Sequence, residues 1–266
     1  MSVPAHETFA FTEEDLAEDT AEQKEVWMVH GEKGTGKTTF ACGFKGSKLL
    51  LSFDRKAKRI KERMYLGSQE IKVYDTTRFY RELTKDELPK AGAKSIAYVL
   101  ELMEHAQDVD WVVIDAYDML IEMAEMKMRY DNGFGAFDGV DFQFWKDRKV
   151  NLRLVHGTAI NLARKGVIYT TISEENRFVE AGRLIRQTKA PRWVDIVMYE
   201  TDNVVRCEIR QHPKLGTRFV AILETVKVGG WPSGAILDVT DRTISEASPV
   251  GAPTEAEEKA VEALFQ

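Results

Sequence analysis

Cysteine is nearly missing from this sequence. Cys42 and Cys207 stand far apart with no metal-binding or redox spacing, which excludes a disulfide framework and points to a reducing compartment, the cytoplasm. The histidines at 6, 30, 105, 156 and 212 form no ligand pair at helical or loop spacing, so a structural zinc is not expected. No apolar run approaches the roughly 20 residues needed to cross a bilayer, so no membrane partner is expected. The opening MSVPAHETFAFTEEDLAED has neither a basic start nor an apolar stretch and does not read as a secretory signal. Internal repeats of the length that builds solenoids or propellers are also absent.

What is present is an uneven charge. The chain of 266 residues carries a net −6, with about −7 in residues 1–25 and about −4 in 245–266, so the body between them is mildly basic at about +5. A basic body between acidic ends suits a nucleic-acid partner without requiring one. An apolar content of 44% suits one large α/β domain. The organisation expected is an acidic flexible segment over 1–24, one domain over 25–245, and a linker with a short acidic helix over 246–266, where Thr254 and Glu257 form a capping box.

The most informative stretch is VHGEKGTGKTTF, residues 29–40. Its spacing, Gly31-x-x-x-x-Gly36-Lys37-Thr38, is the full phosphate-loop pattern, which arises by accident in about 1% of chains this long. Each residue type has a physical reason. Gly31, Gly34 and Gly36 let backbone N–H groups converge on phosphate oxygens, and the helix that follows adds its positive end. Lys37 would reach the β- and γ-phosphates, and the Thr38 hydroxyl would ligate Mg²⁺. The candidate ATP-binding set is therefore Gly31, Glu32, Lys33, Gly34, Thr35, Gly36, Lys37, Thr38 and Thr39. The short apolar run Val26–Val29 before the loop and a helix over 38–44 after it supply the context that the motif needs.

WVVIDAYDML adds a second element. Four apolar residues ending in Asp115 place a carboxylate at the C-terminal edge of a sheet, where it would hold Mg²⁺. Elsewhere strands are expected at 49–53, 71–74, 111–115 and 167–172, with helices near 55–66, 96–106, 117–129 and 146–165. Four later runs (DIVMYE, VVRCEIR, RFVAILETV and AILDVT) read as β-rich. Strand–helix alternation gives a mostly parallel central sheet with helices on both faces, and the later runs add antiparallel strands at its C-terminal side.

Taken in order, GEKGTGKTTF, LLLSFDRKAKRI, WVVIDAYDML and VIYTTISEE resemble the RecA-like P-loop ATPase core over roughly residues 25–230. More narrowly, they resemble the phage-encoded Sak-type single-strand-annealing group, also called phage nucleotide-binding proteins. AAA- and ABC-type ATPases usually have a water-activating Glu after the strand Asp, and here that residue is Ala116. The resemblance implies an acid beyond LLLSF instead. The expected Glu position is occupied by Lys56, which leaves Asp54 as the candidate base and implies slow hydrolysis. It also implies that Thr171 or Ser173 senses the γ-phosphate, against the plainer view of Thr170 and Thr171 as β-branched strand residues.

Two loops would line a DNA path in such a protein. The basic segment with Arg177, Arg183, Arg186, Lys189 and Arg192 would neutralise phosphates, or would be a solvated connection. The segment 130–145, rich in glycine and aromatics, suits base stacking or equally a core or subunit contact. The resemblance also implies a cation donated to a neighbouring subunit, Arg210 or Lys214, against the plainer view of a hairpin turn at 212–216, so a ring or filament is expected. The resemblance thus implies a Mg²⁺-dependent, DNA-stimulated ATPase that binds single-stranded DNA in annealing or recombination, alongside a single-strand-binding protein. The rivals are a ring helicase or packaging motor, and a nucleotide-dependent switch with little hydrolysis.

Overall fold

Short apolar runs separated by amphipathic segments can bury both sides of a strand only in a parallel sheet with helices on each face, and that is how the chain folds. A computed structural model describes residues 24–240 except 65–69, 81–82, 181–182, 194, 215 and 229–231. The expected acidic lead-in (apart from Lys24) and the C-terminal linker and helix lie outside these residues.

The elements are β1 (Glu25–Gly31), α1 (Lys37–Cys42), β2 (Lys48–Ser52), α2 (Ala57–Met64), β3 (Ile71–Asp75), α3 (Leu88–His105), β4 (Trp111–Asp115), α4 (Tyr117–Asp131), α5 (Trp145–Leu162), β5 (Gly166–Glu180), β6 (Arg183–Pro191), α6 (Asp195–Glu200), β7 (Asn203–His212), β8 (Gly216–Val226) and β9 (Ile236–Asp238). The strand order is β3-β2-β4-β5-β1-β7-β8-β9. The first six of these run parallel, and β8 and β9 add antiparallel at the β7 edge. β5 therefore lies between β1, which leads into the glycine loop, and β4, which ends in Asp115.

Period-two alternation sorts the strand side chains into two layers. Met28, Leu49, Leu51, Val112, Ile114, Val167 and Tyr169 face α3, α4 and α5. Trp27, Val29, Leu50, Val113, Ile168 and Val205 face α1, where Phe40 and Phe44 complete an edge-to-face aromatic cluster with Trp27 and Trp111. Each fully buried Leu or Ile in these layers contributes about 1.5–3 kcal/mol, so the layers fix the strand ends that carry the polar residues.

Three segments differ from expectation. DIVMYE is α6, not a strand. The chain must cross over to reach β7, which runs parallel to β1, and a helix makes that crossing. Ile196 and Val197 are buried while Tyr199 is 76% exposed, and Thr201 Oγ1 donates to the Val197 carbonyl four residues back. The basic segment is not a loop: β5 runs on past the sheet and pairs with β6 as an antiparallel ribbon from Ser173↔Pro191 to Glu180↔Arg183. Helix α3 begins eight residues before the stretch read as helical, with Pro89 in its first turn, and follows a short 3-10 turn (Lys85–Glu87) opened by a capping box between Thr84 and Glu87.

Candidate active site

The loop between β1 and α1 is shaped by close approach. A Cβ on Gly31 would lie 2.4 Å from the Cys207 carbonyl of β7, so no larger residue fits where β1 ends. Gly36 caps α1 with φ 88°, a left-handed conformation that turns the backbone from loop into helix. Thr35 Oγ1 donates to the Glu32 carbonyl at 2.9 Å and braces the turn. Lys33 stands exposed at the tip, and Thr39 is partly buried on α1.

Lys37 folds back over this cradle. Its Nζ donates to the carbonyls of Gly31 at 2.9 Å and Glu32 at 2.8 Å, which hold the ammonium at the mouth of the loop. Burial pulls its pKa below the usual lysine value.

Asp115 sits at the end of β4, 2% exposed. Its Oδ1 accepts from Thr38 Oγ1 at 2.8 Å and from Thr170 Oγ1 at 2.6 Å, while its Oδ2 is buried without a partner. Burial, and next the nearby Asp54 carboxylate, push its pKa up to about 6. A buried oxygen with no donor, beside a hydroxyl and a second carboxylate, is the donor set that a hard divalent cation satisfies. The following residue pays for this placement: Ala116 has φ 69° and ψ 66°, a strained left-handed conformation for a residue with a Cβ. Its N–H is captured by Thr170 Oγ1 at 3.0 Å.

Thr170, not Thr171, therefore touches the carboxylate. Thr171 projects to the opposite face of β5, where its hydroxyl donates to the Arg192 carbonyl at 2.8 Å. Ser173 is engaged elsewhere too, 2.9 Å from His30 Nδ1. Beyond β2, Asp54 is tied to Lys56 by the ammonium at 2.9 Å and by the Lys56 N–H at 3.0 Å. Asp54 also borders a cleft of about 490 Å³ between α4 and the turn after β3, which opens it to solvent.

Sequence reasoning missed Asp118 in the first turn of α4. Its carboxyl is raised above the usual range chiefly by burial, and it lies in the field of Lys37, Arg192 and Asp54. The signal available was its place three residues after Asp115, in the first turn of α4. A chain of polar groups that runs outward from the buried His30 was also missed. His30, in β1, lies 2.8 Å from Glu224 Oε2 of β8, which pairs with Arg206; Arg206 pairs with Glu208, and Glu208 with Arg210. Arg210 thus stands on β7, three residues past the level of Gly31, with its guanidinium on Glu208 at 3.3 Å.

The basic ribbon reaches back to the cradle. Lys189 Nζ lies 2.6 Å from Glu32 Oε1. Arg192 pairs with Glu174 at 3.5 Å and Glu122 at 3.7 Å. Arg177, Arg183 and Arg186 lie on the ribbon by register, with side chains outside the described residues. In the segment 130–145, Arg129 holds the turn through the Gly135 and Asp138 carbonyls, and Phe134 packs edge-on against Phe144. Phe137 and Phe142 are 73% and 90% exposed.

A glycine cradle with a half-buried lysine, and an Asp bonded to the cradle's own threonine from a strand one removed, define a P-loop nucleotide-binding domain. The family model of the AAA domain matches residues 23–233, and the chain belongs to that family, a nucleotide-binding ATPase type. It does so with Ala116 where a water-activating Glu usually stands. No curated protein matches the chain. Among the described residues, no helix is long and apolar enough to cross a membrane.

Proposed function

We propose that the protein is a Mg²⁺-dependent ATPase whose cycle governs its grip on single-stranded DNA. The observation that carries the ATPase reading is the convergence of Thr38 and Thr170 on one oxygen of Asp115 while the other oxygen is left buried and bare. Thr38 and Asp115 would hold Mg²⁺, which supplies charge neutralisation on the phosphates. Lys37 exchanges its carbonyl partners for phosphate oxygens. Asp54 accepts the proton of the attacking water, and its tie to Lys56 makes that base slow to engage. The DNA reading is supported by the ribbon, whose register gathers Arg177, Arg183 and Arg186 toward its turn while Lys189, nearer its base, contacts Glu32 of the cradle. A role in annealing or recombination rests on the resemblance of the four motifs to the Sak-type group, and Arg210 is the residue proposed to complete a neighbour's site in an oligomer.

One observation favours a second reading, a nucleotide-dependent switch with little turnover: the only carboxylate beyond β2 within the expected motif is neutralised by its own neighbour Lys56. The test is ATP hydrolysis with and without single-stranded DNA at two salt concentrations, with Lys37→Ala as the blank. DNA stimulation that fades with salt is the expected result. Turnover at the level of the blank, with nucleotide still bound, would establish the switch instead.

A further inference from the structure

Two lysines from distant parts of the chain converge on one residue of the cradle. Lys37 Nζ donates to the Glu32 carbonyl at 2.8 Å, and Lys189 Nζ lies 2.6 Å from the Glu32 carboxylate. The second contact is built rather than incidental. Lys189 pairs with Glu175 across the β5–β6 ladder, and three residues on, the Arg192 N–H donates to the Ile172 carbonyl at 3.0 Å while its own carbonyl accepts from Thr171. The backbone that bears Lys189 is thereby fixed to β5, the strand that also carries Thr170 against Asp115. Glu32 itself is anomalous. A carboxylate in a phosphate cradle repels the ligand unless a cation offsets it, and the Lys189 ammonium holds this one below the usual glutamate range.

We infer that Lys189 is a phosphate-directed cation supplied by the same chain, set beside Glu32 by the β5–β6 ladder and used to distinguish a nucleoside triphosphate from a diphosphate. An ammonium has three donors, and Glu32 occupies one of them, so Lys189 can take a γ-phosphate oxygen as well. A diphosphate lacks that oxygen. The inference rests on the nucleotide site proposed above and adds to it the residue that reads the number of phosphates. It also changes what assembly must provide, because one positive charge directed at the terminal phosphate is already present within the subunit.

The experiment measures binding of a non-hydrolysable ATP analogue and of ADP, both with Mg²⁺, to the wild type, Lys189→Met, Lys189→Arg, Glu32→Gln and the Glu32→Gln/Lys189→Met double variant. Thermal unfolding checks that each variant is folded. The expected result is an affinity for the ATP analogue about tenfold lower in Lys189→Met, ADP affinity within about threefold of wild type, and substantial recovery in Lys189→Arg. The double variant should remain about tenfold weaker than Glu32→Gln alone for the ATP analogue. A double variant equal to Glu32→Gln overturns the inference, since Lys189 would then only neutralise Glu32. Equal weakening of both nucleotides, or no change in either, overturns it as well. If the wild type binds neither nucleotide better than Lys37→Ala, the nucleotide site and this inference fall together; wild-type binding with an indifferent Lys189 removes the inference alone.

Discussion

Replacing Thr170 with valine keeps its shape and deletes two hydrogen bonds at once. Thr170 Oγ1 donates to Asp115 at 2.6 Å and accepts the Ala116 N–H at 3.0 Å, in a position 1% exposed. Losing a hydrogen bond to a charged group costs about 1.5–3 kcal/mol, and stranding a buried N–H costs a further ~1–3 kcal/mol. The total, about 2.5–6 kcal/mol, corresponds to a fall in Tm of at least about 5–10 °C for a domain of this size. Thr171→Val is the internal control. It forfeits one neutral bond to the Arg192 carbonyl, about 1 kcal/mol, and with it about 2–4 °C. The two variants should also part in function. Thr170→Val loses a donor that holds the Asp115 carboxylate in place, so its thermal shift on adding Mg²⁺ and an ATP analogue should shrink, while that of Thr171→Val should persist. Thermal unfolding at pH 8, with and without these ligands, reads both effects. A Thr170→Val protein no less stable than Thr171→Val, or one with an unchanged ligand shift, would refute the reasoning.

Asp115 makes stability depend on pH in an unusual direction. Its pKa is about 6 when folded against 3.8 for an ordinary Asp, so its contribution is fully present below about pH 3.8 and is lost as pH rises through 6, about 3 kcal/mol in all. Without ligand, urea midpoints should show wild type losing about 1.5 kcal/mol more than Asp115→Asn between pH 5 and 8; parallel profiles would contradict the burial argument. Asp54→Asn should cut ATP turnover by at least about tenfold with nucleotide affinity unchanged, and intact turnover would remove Asp54 as the base. Gly92→Ala should destabilise by about 1–3 kcal/mol in the same urea assay, because its Cβ would lie 2.4 Å from Met126 Cβ and 2.9 Å from the Met123 carbonyl where α3 meets α4. A neutral outcome would mean that the two helices can part without loss.

The parts legible in sequence were those whose chemistry is local. A phosphate cradle needs its glycines, lysine and threonine contiguous, and Asp115 needs only to end an apolar strand, so both could be read before any fold was known. The choice between Thr170 and Thr171 required one further fact, the face that α1 covers. Strand parity places Thr170 with Ile168 on the α1 side, together with Val113 and Asp115, and Thr171 with Tyr169 on the other. DIVMYE was misread because six residues, two of them β-branched and apolar, carry almost no period, and tertiary connection decided them. The ribbon was hidden for a different reason. Its strand pairs outside the core, so charge replaces the apolar alternation by which strands are usually found. The links from Lys189 to Glu32 and from His30 to Glu224 join residues more than 150 positions apart, and no local pattern encodes them.

The two cysteines give the folded chain a built-in chemical clock. Cys42 closes α1 in the apolar layer with Phe40 and Phe44, Cys207 lies beside Gly31 in β7, and burial pushes each thiol up to about 12. At neutral pH only about one such group in 10⁵ is a thiolate, against a few per cent for a free cysteine. An alkylating reagent therefore meets a nearly inert protein until the strands around the glycine loop separate. The rate of labelling measures how often that happens, and a ligand that clasps the loop should slow the clock without touching either sulfur.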